Sequence, residues 1–229
     1  MESEQGKLGA AGRDRHGFRA LLICLLALVV LPAHFPAEDR HLFWVVVVTL
    51  CLLVCLYMAA NNRVEFVSGA VVAACAMILS WLAAFLSNSV PLALPVLFYV
   101  LFFLMVAAYL VRYLFKSDKI SEEMIFASVC LYIILGLNWG FVYFLIEAFA
   151  SGSFANIQAI EAGTAAPFAA LTDLIYYSFV TLSTLGYGDI LPISRAARSW
   201  AIIEALVGQF YLAIVVARLV GLHITAPRP

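Results

Sequence analysis

Charge is scarce in this sequence. Only 12% of its 229 residues are charged, and 13 Lys and Arg nearly balance 14 Asp and Glu, for a net charge of −1. That balance offers no basic surface for a phosphate backbone, which excludes nucleic acid as a partner. Metal-ligand patterns are missing as well. The four histidines do not cluster, and Cys24, Cys51, Cys55, Cys75 and Cys130 all lie inside apolar runs. They read as small hydrophobes within helices, not as disulfides or ligands. There is no nucleophile–base arrangement and no Gly-rich phosphate loop, so an enzyme reading has no residues behind it.

What the chain has instead is apolar surface. Hydrophobic residues make up 65% of it, and the mean hydropathy is +1.03. A soluble domain of this size cannot hide that much apolar area, so the pattern predicts an all-α integral membrane protein.

Taken in order, residues 1–17 form a polar, cytoplasmic tail carrying Lys7, Arg13 and Arg15. Residues 18–35 are the first apolar run, ended by Pro32 and Pro36; it is short enough that a cleaved signal peptide competes with a retained helix. Further spans are expected at 41–60, 64–87 and 92–115, making residues 18–116 a four-helix membrane region. Residues 117–229 then form a second unit, opening with a helix at 121–149 that Ser121 can cap, with Glu122 and Glu123 in its first turn. Gly136 and Gly140 give it a close-packing spacing, and Asn138 between them is expected to bond across helices. Residues 150–167 are small and polar. A short helix is expected at 172–183, capped by Thr172, followed by a loop at 184–189 and a last span at 196–223 that leads to the end at Pro229. Of the 13 Lys and Arg, only Arg40, Arg195 and Arg198 fall outside under this layout, so the positive charges place both termini in the cytoplasm.

The helix at 172–183 is too short to cross, so it enters and turns back at Thr184-Leu185-Gly186-Tyr187-Gly188-Asp189. Non-helical backbone at that depth is tolerable only when it is buried in protein or lines water. With Tyr176-Tyr177 before it and Pro192 after it, this stretch resembles the selectivity filter of tetrameric potassium channels. The layout resembles their six-span, voltage-gated-type arrangement, though without its arginine-rich sensor. Leu185 departs from the family's commoner Val.

The resemblance implies a homotetramer whose stacked backbone carbonyls replace the hydration shell of K+. The ion would bind at Thr184, Leu185, Gly186 and Tyr187, and the filter would run to Gly188. Gly186 and Gly188 can adopt the left-handed backbone that aims successive carbonyls inward, while Leu185 and Tyr187 point away from the ion and brace the strand. Tyr176, Tyr177, Val180, Asp189 and Glu204 are the expected filter supports: Tyr176 would bond Asp189, and Glu204 would bond the neighbouring helices behind the filter. Gly208 is either a hinge or a close-packing site, and Gln209, Leu212 and Val216 would face a central cavity. The implied activity is passive K+ conduction across the plasma (cell inner) membrane, with no cofactor beyond the permeant ions and the lipid bilayer as surroundings. A less selective monovalent cation channel, a non-conducting membrane subunit and a secondary transporter are the alternatives.

Overall fold

The computed structural model describes residues 17–34, 37–59, 63–85, 92–116, 121–157, 166–218 and 220–221. The polar tail, the middle of the 150–167 loop and the last residues of the 196–223 span lie outside them. Among the described residues seven α-helices follow one another: α1 Gly17–Val30, α2 Ala37–Ala59, α3 Arg63–Phe85, α4 Ala93–Lys116, α5 Glu122–Phe149, α6 Ala166–Leu182 and α7 Arg195–Tyr211. Pro32 turns the chain after α1 into a 3-10 segment, Leu31–His34. The last helix runs on through a π-helical turn, Leu212–Val216.

Among the described residues, four helical segments are long and apolar enough to cross a bilayer: Phe66–Phe85, Ala93–Lys116, Glu122–Phe149 and Arg195–Val216. The protein is a membrane protein built of helices. The apolar stretches of α1 and α2, Gly17–Val30 and Leu42–Met58, are shorter.

Consecutive helices pack side by side, α2 on α3, α3 on α4, α4 on α5 and α5 on α6. Their common centre is aromatic. Trp44 of α2 sets its ring edge-on against Tyr99 of α4, Phe141 of α5 and Phe168 of α6, at centroid distances of 5.4, 6.2 and 5.8 Å. Rings met edge-on gain the quadrupole attraction that a face-to-face pair would lose. Helices α2 and α4 are thereby seated directly on α5 and α6. Arg19 of α1 adds an ion pair to Glu122 at the start of α5, 2.8 Å long.

The start of α5 follows from its sequence. Ser121 accepts from the Met124 amide at 3.3 Å, and Glu122 and Glu123 occupy the first turn. The start of α6 corrects the expectation. It begins at Ala166, not Thr172, and Pro167 sits in its first turn. Proline suits that place because its fixed φ is already helical and its missing N–H would have no partner there. Thr172 is an interior residue whose hydroxyl donates back to Ala169 O at 2.7 Å, the bond by which Thr tolerates a helix interior.

Gly136 and Gly140 bring α6 against α5. A Cβ on Gly136 would lie 2.4 Å from Phe179, and one on Gly140 would lie 2.7 Å from Ile175 Cα. Asn138 corrects another expectation: among the described residues its buried Oδ1 has no hydrogen-bond partner. Two positions from either glycine, it sits on roughly the opposite side of α5 from the α6 contact.

Candidate functional site

The loop between α6 and α7 has a regular backbone. Thr184, Gly186 and Gly188 have φ of +58°, +59° and +77°, so alternate residues are left-handed. Alternation of hand turns successive carbonyls toward the same side, which a plain strand cannot do because its carbonyls alternate. Thr184 is the position the sequence did not betray, since threonine rarely adopts this conformation. The loop hangs from the end of α6: Thr184 N donates to Thr181 O at 2.9 Å, and Leu185 N and Gly186 N donate to Val180 O at 2.9 and 3.3 Å. These bonds use the carbonyls that a helix C-terminus leaves open. The negative end of the α6 dipole therefore lies at the inner end of the loop, where it favours a cation.

The outer end is tied in three ways. Tyr176 Oη donates to Asp189 Oδ2 at 2.7 Å. Asn156 Nδ2 donates to Asp189 O at 2.8 Å. A short antiparallel pair, β1 Phe154–Ala155 with β2 Leu191–Pro192, sets Phe154 opposite Pro192 and Ala155 opposite Leu191. The Tyr176 hydrogen bond, aided by the Ile190 amide, holds the Asp189 carboxyl below its usual range against a smaller opposing desolvation.

Behind the loop lies Glu204 of α7, which is fully buried. Its Oε2 contacts Tyr143 Oη of α5 and its Oε1 contacts Ser178 Oγ of α6, both at 2.5 Å. Tyr177 is buried beside this group and stacks edge-on against Tyr143 and Phe154, with centroids at 5.2 and 5.4 Å. Gly208, one turn below Glu204, lies against the end of α6: a Cβ there would be 2.2 Å from Leu182 O. Its neighbour Gln209 is exposed and reaches Thr184 Oγ1 at 3.4 Å. Leu212 and Val216 are exposed within the π-helical turn. Leu185 and Tyr187 are 55% and 66% exposed, pointing outward from the single chain.

Sequence reasoning missed Glu147. Its two carboxylate oxygens accept from Gly152 N at 2.7 Å and Phe154 N at 3.0 Å, which fixes the turn leading into β1. The signal was present: an acid in the last turn of an apolar helix faces the wrong end of the dipole and needs donors, which the Ser151-Gly152-Ser153 turn supplies. Ser178 and Tyr143, the partners of Glu204, were missed because a Ser and a Tyr inside apolar helices carry no spacing signature.

The site thus consists of a short apolar helix, a loop of alternating hand and a following membrane-length helix. Residues 130–223 match the family model described as "Ion channel". Protein LctB of Geobacillus stearothermophilus is 30% identical over 104 residues, covering 45% of this chain and 75% of that protein. Protein LctB of Bacillus caldotenax is 29% identical over the same length and shares. Two pore potassium channel c of Oryza sativa subsp. japonica is 33% identical over 80 residues, 34% of this chain and 18% of that protein. No solved structure matches. The chain belongs to this ion-channel family, within the potassium-channel superfamily, and is a channel, not an enzyme.

Proposed function

We propose that the chain forms a homotetrameric, K+-selective pore that conducts passively down the electrochemical gradient. The observation that carries this reading is the left-handed backbone at Thr184, Gly186 and Gly188, at the end of a short apolar helix. Four such loops around one axis stack carbonyl rings from Thr184, Leu185, Gly186 and Tyr187, each ring replacing water around a dehydrated K+. One chain supplies one loop, so the ring needs four copies. The exposed apolar face of α7, with Ile202, Leu206 and Phe210, and the outward side chains of Leu185 and Tyr187 are surfaces that neighbouring copies would cover.

In this reading α1 to α4, α5 and α7 span the plasma (cell inner) membrane as six segments, and both termini are cytoplasmic. The cytoplasmic side then holds Arg63, Arg112, Lys116 and Arg218. No cofactor is needed beyond the permeant ions. The test is reconstitution of the purified protein in planar bilayers with opposing K+ and Na+ gradients. The expected reversal potential lies close to that of K+. A value midway between the two ions would make the pore a less selective monovalent cation channel, and absence of current would make it a non-conducting subunit.

A further inference from the structure

Five oxygens run in a buried chain across α5, α7 and α6: Tyr143 Oη, the two Glu204 carboxyl oxygens, Ser178 Oγ and Gly136 O. Tyr143 to Glu204 Oε2 is 2.5 Å, Glu204 Oε1 to Ser178 is 2.5 Å, and Ser178 to Gly136 O is 2.7 Å. Three oxygen–oxygen contacts this short need three hydrogens. Gly136 O brings none, Tyr143 brings one and Ser178 brings one. If Glu204 were a carboxylate, Ser178 could donate to it or to Gly136 O, and the other contact would press two bare acceptors together. A hydrogen on Glu204 Oε1 resolves the count: Tyr143 donates to Oε2, Oε1–H donates to Ser178, and Ser178 donates to Gly136 O.

The surroundings agree. The Glu204 side chain is fully enclosed, and among the described residues no Lys, Arg or His bonds it. The titratable groups around it are Tyr132 and Tyr143 of α5 and Tyr177 of α6, none of them a cation. An unpaired anion at this depth would be far costlier than a neutral acid satisfied on both oxygens.

We propose that Glu204 is a neutral carboxylic acid that acts as a positioning residue, using its proton to lock α6, and with it the filter, between α5 and α7. The functional half rests on the pore reading above; the protonation half does not. Glu204 lies in the turn before Gly208, where an added Cβ would lie 2.2 Å from Leu182 O at the end of α6. The outer half of α7 is therefore pinned to α6 at two successive turns, which keeps the filter's supporting carbonyls, Val180 O and Thr181 O, in register with the last helix.

Infrared spectroscopy of reconstituted protein labelled with 13C-glutamate reads the proton directly. The expected spectrum at neutral pH contains a protonated-carboxyl C=O stretch that disappears in Glu204→Gln and moves to higher frequency in Ser178→Ala, which deletes its acceptor. A difference spectrum in which Glu204→Gln removes only carboxylate bands overturns the proposal. So does an unmoved protonated band in Ser178→Ala, the deciding measurement should Glu204→Gln not assemble. Bilayer recordings read the positioning role. A glutamine amide can donate to Ser178 and accept from Tyr143, so Glu204→Gln is expected to keep K+ current within about twofold. Ser178→Ala is expected to lower K+ over Na+ preference by about tenfold, the factor of one such bond. Current lost in Glu204→Gln and untouched in Ser178→Ala sinks the positioning role. Failure of wild-type protein to conduct would sink the pore reading while leaving the infrared result to stand on its own.

Discussion

A Cβ built on Gly186 meets no atom within 4 Å in the single chain, yet φ there is +59°. The penalty of Gly186→Ala is therefore conformational, about 1–2 kcal/mol for a left-handed L-residue, and small enough for the protein to assemble. Relief of that strain turns one carbonyl out of the file. We expect Gly186→Ala to form the same oligomer on native gels but to lose K+ preference in bilayers; a conducting, K+-preferring mutant would remove the loop from its assigned role. Asp189 is the second residue whose behaviour follows from its contacts. Its carboxyl is held below the usual value by the Tyr176 hydrogen bond first, so the bond is complete above the ordinary Asp value of about 3.9. It fails only as pH falls below that. Outer acidification to about pH 5 is expected to leave inactivation unchanged, whereas Tyr176→Phe and Asp189→Asn should each change its rate several-fold. Unchanged kinetics in both mutants would show that the bond does not hold the outer loop. These residues were legible because Gly-Tyr-Gly-Asp has a backbone requirement that few sequences meet. Thr184 was named from the same motif, but its left-handed φ was not legible, because the Thr181 and Val180 carbonyls impose it and not its own preference.

Among the elements, α5 could be read from its Ser121 cap and its apolar length, but α6 could not be read from its start. Thr172-Asp173 mimics a helix start, and only the packing of the preceding turn, with Phe168 on Trp44 and Ala170 and Leu171 fully buried, shows why the helix continues back to Ala166. Tertiary packing overrode the local signal. The same packing decides between the two readings of Gly208. Alanine in a helix interior is favoured over glycine by about 1 kcal/mol, so a free hinge glycine would become more stable on substitution. At Gly208 the added Cβ would lie 2.2 Å from Leu182 O, a backbone atom that cannot swing aside. Overpacking of this kind costs about 1–3 kcal/mol, so the clash outweighs the propensity gain. Gly208→Ala is expected to lower the thermal stability of the assembly. A more stable mutant with altered opening would make it the hinge after all. The departure of the last helix from regular α geometry lies one turn further on, at Leu212–Val216, where π turns commonly mark functional positions.

At the scale of the whole molecule, the question is whether α1 to α4 sense voltage or brace the pore. Sensing requires charge that moves through the field; one elementary charge crossing fully gains about 2.3 kcal/mol per 100 mV, and steep sensors carry several per subunit. From Leu92 to Val111 the sequence has no basic residue, and the apolar runs Leu42–Met58 and Phe66–Phe85 hold no charge that could serve as a counter-ion. Arg112 and Lys116 come only at the end of α4. That end is tied to the pore: Arg218, just beyond the π turn, donates to Leu114 O at 3.2 Å and to Phe115 O at 3.0 Å, with its guanidinium 5.0 Å from the Phe115 ring. A cation on the last carbonyls of α4 also meets the negative end of that helix dipole. Trp44, wedged among Tyr99, Phe141 and Phe168, fixes the other side. Four helices without mobile charge, bonded to the pore at both places, are built to hold and not to move. The conductance–voltage relation is therefore expected to be shallow, with an effective gating charge near that of ions shifting within the filter. A steep curve carrying several elementary charges per assembly, flattened by neutralising Arg112 and Lys116, would show that α4 moves and would overturn the bracing role.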